Sequence, residues 1–199
     1  MRHLTTRSTR WFLGAAVALG LCLSAGAAVW ASGNLTTQLS LKVATTGSSS
    51  SFGLSTVTDP VTKDYTQLLS SGTGSNQASN QFHDQRTLTA SSSENLDLAG
   101  ALTNGFGQTL TFTAIKAIII HASSANTNNV VVGGAGSNGF TTWSTATDST
   151  VSLPPNGTLI LVNPGSGWSV TAGTGDLLKV ANSGAGTSVV YDVILIGVD

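Results

Sequence analysis

Residues 109–199 form a succession of short apolar segments, TLTFTAIKAIIIHA, NNVVVGG, STVSLPP, GTLILVN, GWSVTAG, DLLKVAN and SVVYDVILIGV, each bounded by Gly, Asn, Ser, Thr or Pro. Runs of this length, rich in β-branched residues and fenced by turn formers, are strands. No stretch of the body shows a 3.6-residue apolar period with caps, so no helix longer than a turn or two is expected there. Asn104-Gly105, Asn138-Gly139, Asn156-Gly157 and Pro164-Gly165 fall where such strands must reverse. Eight to ten strands result. The expected fold is all-β, a single two-sheet β-sandwich of the jelly-roll kind, which manages its sheet edges. Ile118-Ile119-Ile120 is expected to be buried on both faces at the centre of a sheet.

Only 9% of the residues are charged, against roughly 25% in an average soluble protein. The surface must therefore be built from Ser, Thr, Asn, Gln and Gly. Three of the eight basic residues, Arg2, Arg7 and Arg10, precede the body, leaving five against nine acidic ones. That balance gives no basic patch and no nucleic-acid partner is expected. The single cysteine, Cys22, lies in an apolar leader, so the body has neither an intrachain disulfide nor thiol chemistry.

The leader runs uncharged from Trp11 through Ala31 behind the three arginines. Val29-Trp30-Ala31 ends on a small residue, which suits a cleaved signal peptide. A stretch of about 20 apolar residues can also cross a bilayer, so an uncleaved single-span anchor with the body outside is the alternative, and only then is a membrane a partner. A third reading has translation start near Leu35. The domains read as residues 1–31, signal peptide or anchor; 32–81, a first strand and an extended Gly/Ser-rich arm; and 82–199, the sandwich. Leu39, Leu41 and Val43 alternate as in a half-buried strand. Residues 44–81 read as a polar arm or long connection, of a length that is usually functional or disordered.

Tests for chemistry are negative, and no catalytic, cofactor-binding or metal-binding residue is assigned. Gly134-Ala135-Gly136-Ser137-Asn138-Gly139 fits G-x-G-x-x-G, but the residues after it, FTTWSTATDSTVSL, are rich in Thr and Ser rather than helical, and a pyrophosphate needs a helix N-terminus there. The segment reads as a hairpin loop. His83 and His121 are far apart and neither sits in a metal-ligand pattern. His83, Asp84 and Arg86 read as an ion-paired corner. Glu94 and Asp97, three apart on a strand, would point to opposite faces and cannot share a site for glycoside hydrolysis. G-x-S-x-G is absent. Trp168 reads as core, whereas Trp143, between threonines, is the candidate contact residue for a glycan or an interface. Asn34 and Asn156 head formal glycosylation sequons.

From Leu35 onward the chain resembles a family of small, mostly uncharacterised proteins encoded in the structural modules of tailed-phage and prophage genomes. The resemblance rests on Phe82-His83-Asp84-Gln85-Arg86-Thr87-Leu88, on Glu94-Asn95-Leu96-Asp97-Leu98-Ala99-Gly100, and on Leu110-Thr111-Phe112 with Ile115-Lys116-Ala117-Ile118. Val130-Val131-Val132-Gly133-Gly134-Ala135, the stretch from Val170 to Val180, and Tyr191-Asp192-Val193-Ile194-Leu195-Ile196-Gly197 complete it. It implies a non-enzymatic structural or assembly protein of the virion, a capsid or tail accessory subunit without cofactor. Its partners would be copies of itself, in a closed trimer by analogy of fold, or other virion proteins. The leader departs from that pattern and carries the competing expectation, an exported extracellular or cell-envelope binding module for glycans that uses Trp143.

Overall fold

The computed structural model describes the backbone of residues 35–47 and 57–199 and the side chains from Gln67 onward. The signal peptide or anchor of residues 1–31 lies outside the described residues. The described residues are all-β, with no helix and twelve strands. β1 (Leu35–Gly47) and β2 (Val57–Ser71) form an antiparallel ribbon of thirteen pairs, whose far strand pairs at Ser70 and Ser71 with the two-residue β3 (Gln77–Ala78). The remaining strands are β4 (Asn80–Leu88), β5 (Ser93–Asp97), β6 (Ala114–Ala122), β7 (Val130–Gly133), β8 (Thr150–Leu153), β9 (Thr158–Val162), β10 (Trp168–Ser169), β11 (Leu177–Asn182) and β12 (Val189–Val198).

They make two antiparallel sheets. One has the order β4-β12-β6, with β6 bordered by β9 and β10; the other has the order β5-β11-β7-β8. The pairing is nested: β4 with β12, β5 with β11, β6 with β9 and β7 with β8. Alternation along each strand sends one set of side chains to a common core. Phe82 and Leu88, Ile118 and Ile120, and Tyr191, Val193 and Leu195 come from the first sheet. Leu96, Val130, Val132, Leu153, Leu178 and Val180 come from the second, and all belong to one buried cluster.

The turns follow their chemistry. Asn138 and Asn156 adopt φ of 52° and 63°, the left-handed region that Asn tolerates better than other side chains. Asn104 folds its own loop by accepting from the amides of Phe106 and Gln108, both at 3.0 Å. Two buried asparagines close one end of the body. Asn126 exchanges two hydrogen bonds with the backbone of Val190, and Asn182 donates to the carbonyls of Thr89 and Thr187.

Two expectations change. The isoleucine run is interior to its sheet, but only Ile118 and Ile120 are buried; Ile119 is half-buried, because alternation turns it to the face opposite the core. Residues 57–71, expected within a polar arm, are a strand, because pairing with β1 overrides a composition that includes Pro60.

Candidate functional site

With the inner faces sealed by the core, the outer face of the sheet built on β12 is one of the surfaces the body presents. The register lays out its rows. Ile196 stands between Gln81 and Ala117, Ile194 between His83 and Ile119, and Asp192 between Gln85 and His121. On the far side of β6, Val162, Ile160 and Thr158 continue the rows. Two rows are therefore apolar at their centre and the third is polar. A surface concavity of about 600 Å³ lies over them, lined by His83, Gln85, Ile119, His121, Asp192 and Ile194 among others.

Its polar wall is internally bonded. Gln85 Nε2 donates to Asp192 Oδ1 at 2.9 Å, and His121 Nδ1 lies 2.8 Å from Thr158 Oγ1. The two histidines, distant in sequence, thus share one face with strand β12 between them. Among the described residues no group of three or more His, Cys, Asp or Glu is placed to hold a metal ion. Ile194, inside the sheet, and Val162, on the edge strand β9, are 36% and 38% exposed.

One row of this face is covered. Leu69, next to the end of the ribbon, is 1% exposed and clusters with Ala117, Ile196 and Ala78. The base of the ribbon is held by further contacts. Asn76 donates to Pro164 O at 2.7 Å and Ser79 to Gly197 O at 2.9 Å. Lys116, buried in the middle of β6, directs its ammonium to the carbonyls of Gly165 and Gly74. Desolvation lowers its pKa below the ordinary lysine value.

The other candidates separate. Trp143 is half-buried against the core cluster and its indole N–H donates to Phe140 O at 2.8 Å. Trp168 is likewise half-buried against the core. Arg86 pairs with Asp84 and Glu94, each at 3.0 Å, and stacks over Phe82 at 5.8 Å, whereas His83 on the opposite face takes no part. Asp97 instead accepts from the amide of Ala99, so Glu94 and Asp97 serve different contacts. The segment Gly134–Gly139 leads from β7 toward its antiparallel neighbour β8 without a helix. Asn156 is exposed in the turn before β9.

The outer apolar face escaped the sequence reading because an unbroken run such as Val193-Ile194-Leu195-Ile196 looks buried on both sides. Its one signal was Asp192, a charge that alternation places on the same face as Ile194. Comparison of the chain with protein-family models, with curated proteins and with solved structures gives no match.

Proposed function

We propose that this chain is a non-enzymatic structural subunit of the virion type, a capsid or tail accessory protein that assembles with copies of itself or with other virion proteins. Its body is read as a β-sandwich of the jelly-roll kind. The nested pairing of first strand with last, second with next to last, and so inward supports that topology.

The observation that carries the reading is the β1–β2 ribbon. Thirteen residue pairs are joined to the body by Leu69 and by a two-residue pairing at Ser70 and Ser71. A two-stranded ribbon is marginal in water unless something packs on it, and an assembly supplies that partner. The sparse charge agrees, as does the absence of any cysteine beyond Cys22. The polar groups of the outer face are engaged with one another rather than arranged as nucleophile and base.

The test is to band particles from the source culture on a density gradient and identify this chain and its N-terminal peptide by mass spectrometry. Co-migration with capsid proteins is the expected result. A chain absent from particles and recovered from the secreted or envelope fraction with Ser32 at its N-terminus contradicts the proposal and favours the exported binding module.

A further inference from the structure

We propose that two copies of this chain pair antiparallel along the edge of strand β4, joining their β12 sheets into one. The inference rests on the self-assembly reading and names the edge through which two copies meet.

Among strands β4 to β12, β4 is the longest with a single partner. Its nine residues pair with β12 without a register shift, whereas the other edge strands β5, β8 and β9 have five, four and five residues. Which of its backbone groups face away follows from the far side of β12. Ser123 N donates to Val190 O at 3.0 Å, so Val190, and by alternation Asp192 and Ile194, turn their N–H and C=O toward β6. Tyr191, Val193 and Leu195 turn theirs toward β4, onto Arg86, Asp84 and Phe82. Gln81, His83, Gln85 and Thr87 are left with N–H and C=O pointing away from the sheet, and all four residues are exposed. The strand carries no proline, no lysine and no bulge to guard that edge.

Two charges do point to the inner side, Asp84 and Arg86, with side chains 47% and 31% exposed. Inward charges keep a foreign strand from adding to an edge. A second copy of β4 is matched to them. With the two-fold axis through Gln85, Asp84 of each copy stands opposite Arg86 of the other, and Phe82 opposite Leu88. Residues directly opposite bring their Cβ atoms to about 5 Å, within reach of an ion pair, and the pair recurs on both sides of the axis. The outward backbone groups meet in the same register, Gln85 with Gln85 and, twice, His83 with Thr87. Moving the axis to Asp84 sets the two aspartates against each other and Arg86 against Phe82, so charge selects the register. The contact is isologous and closes at two copies, leaving neither β4 edge free.

The test uses the full chain with Cys22→Ser as background, Cys22 being its only cysteine. Gln85→Cys puts a thiol beside its own copy on the axis, so mild oxidation should give a disulfide-linked dimer on a non-reducing gel about tenfold faster than Asn156→Cys, in the exposed turn before β9. Thr87→Pro removes one outward N–H and blocks the edge without breaking a bond to β12, so it should weaken association about tenfold in light scattering while circular dichroism stays that of wild type. Gln85→Cys that links no faster than Asn156→Cys overturns the edge pairing, whatever Thr87→Pro does. A Thr87→Pro chain that folds and associates as tightly as wild type overturns it as well; where that variant fails to fold, the cysteine comparison decides. Multimers that persist in either case leave the assembly reading intact. A strict monomer at every concentration removes both.

Discussion

The phenol of Tyr191, fully buried on β12, donates a 2.7 Å hydrogen bond to Oε1 of Glu94 on β5, and so ties the middle of one sheet to the edge of the other. Arg86 on β4 holds the second carboxylate oxygen at 3.0 Å. Burial first, then the hydrogen bond and the charge of Glu94, push the phenol far above its ordinary value. Its folded pKa is raised, so the contribution to stability is complete below the unfolded value of about 10 and is lost as pH rises beyond it. Tyr191→Phe is expected to cost about 2 kcal/mol at neutral pH. The difference between wild type and variant in urea unfolding should shrink and then reverse at strongly alkaline pH. A difference that stays constant would show that the bond does not couple to ionisation.

Lys116 gives the opposite balance. Its buried charge is costly, but it satisfies two loop carbonyls. Methionine removes the desolvation cost of the buried charge but takes the donor from both carbonyls, so a gain and a loss oppose each other. Lys116→Met should therefore leave the global unfolding free energy within about 1 kcal/mol of wild type. Locally, the amide of Asn76, bonded to Pro164 O, should exchange faster by hydrogen exchange. Because desolvation lowers the lysine's folded pKa, its cost eases as pH rises toward the ordinary lysine range. A large global loss with no local change at Asn76 would contradict this account.

Gly197 sits where the pairing of β12 with β6 shifts register after Ile196. A Cβ there would run into the carbonyl oxygen of Ala114 and come within 2.7 Å of Phe112 Cδ1. Neither obstacle is the free end of a flexible side chain. Gly197→Ala is expected to destabilise by about 1–3 kcal/mol, read from the denaturation midpoint. A neutral result would mean that the bulge relaxes.

Trp143 is held by packing and by its bond to Phe140 O. Trp143→Phe should cost about 1 kcal/mol for the lost hydrogen bond, and Trp143→Ala about 3 kcal/mol. Thermal denaturation measures both. On a glycan array neither variant is expected to differ from wild type; binding that is present in wild type and lost in the stable Phe variant would make Trp143 a contact residue.

Most of the strands from β4 to β12 were legible because their apolar residues outweigh any alternative and their ends carry turn chemistry, as at Asn138-Gly139 and Asn156-Gly157. The leading strand was visible in Leu39, Leu41 and Val43. Its partner was not, since Val57–Ser71 has Pro60, two aspartates and few alternating apolar residues, and only pairing across the ribbon makes it a strand. The outer apolar face was hidden for a related reason. Ile119 and Ile194 stand in apolar runs that signal burial, and whether a layer covers the outside of a sheet is a tertiary fact that no local pattern contains. Lys116 was equally unreadable, because its partners Gly74 and Gly165 come from loops far away in the chain.

The central claim is that this chain works as an assembly, and the most direct measurement is its mass in solution by multi-angle light scattering over a wide concentration range. A defined multimer that persists on dilution is the expected result. A monomer at all concentrations would contradict the account.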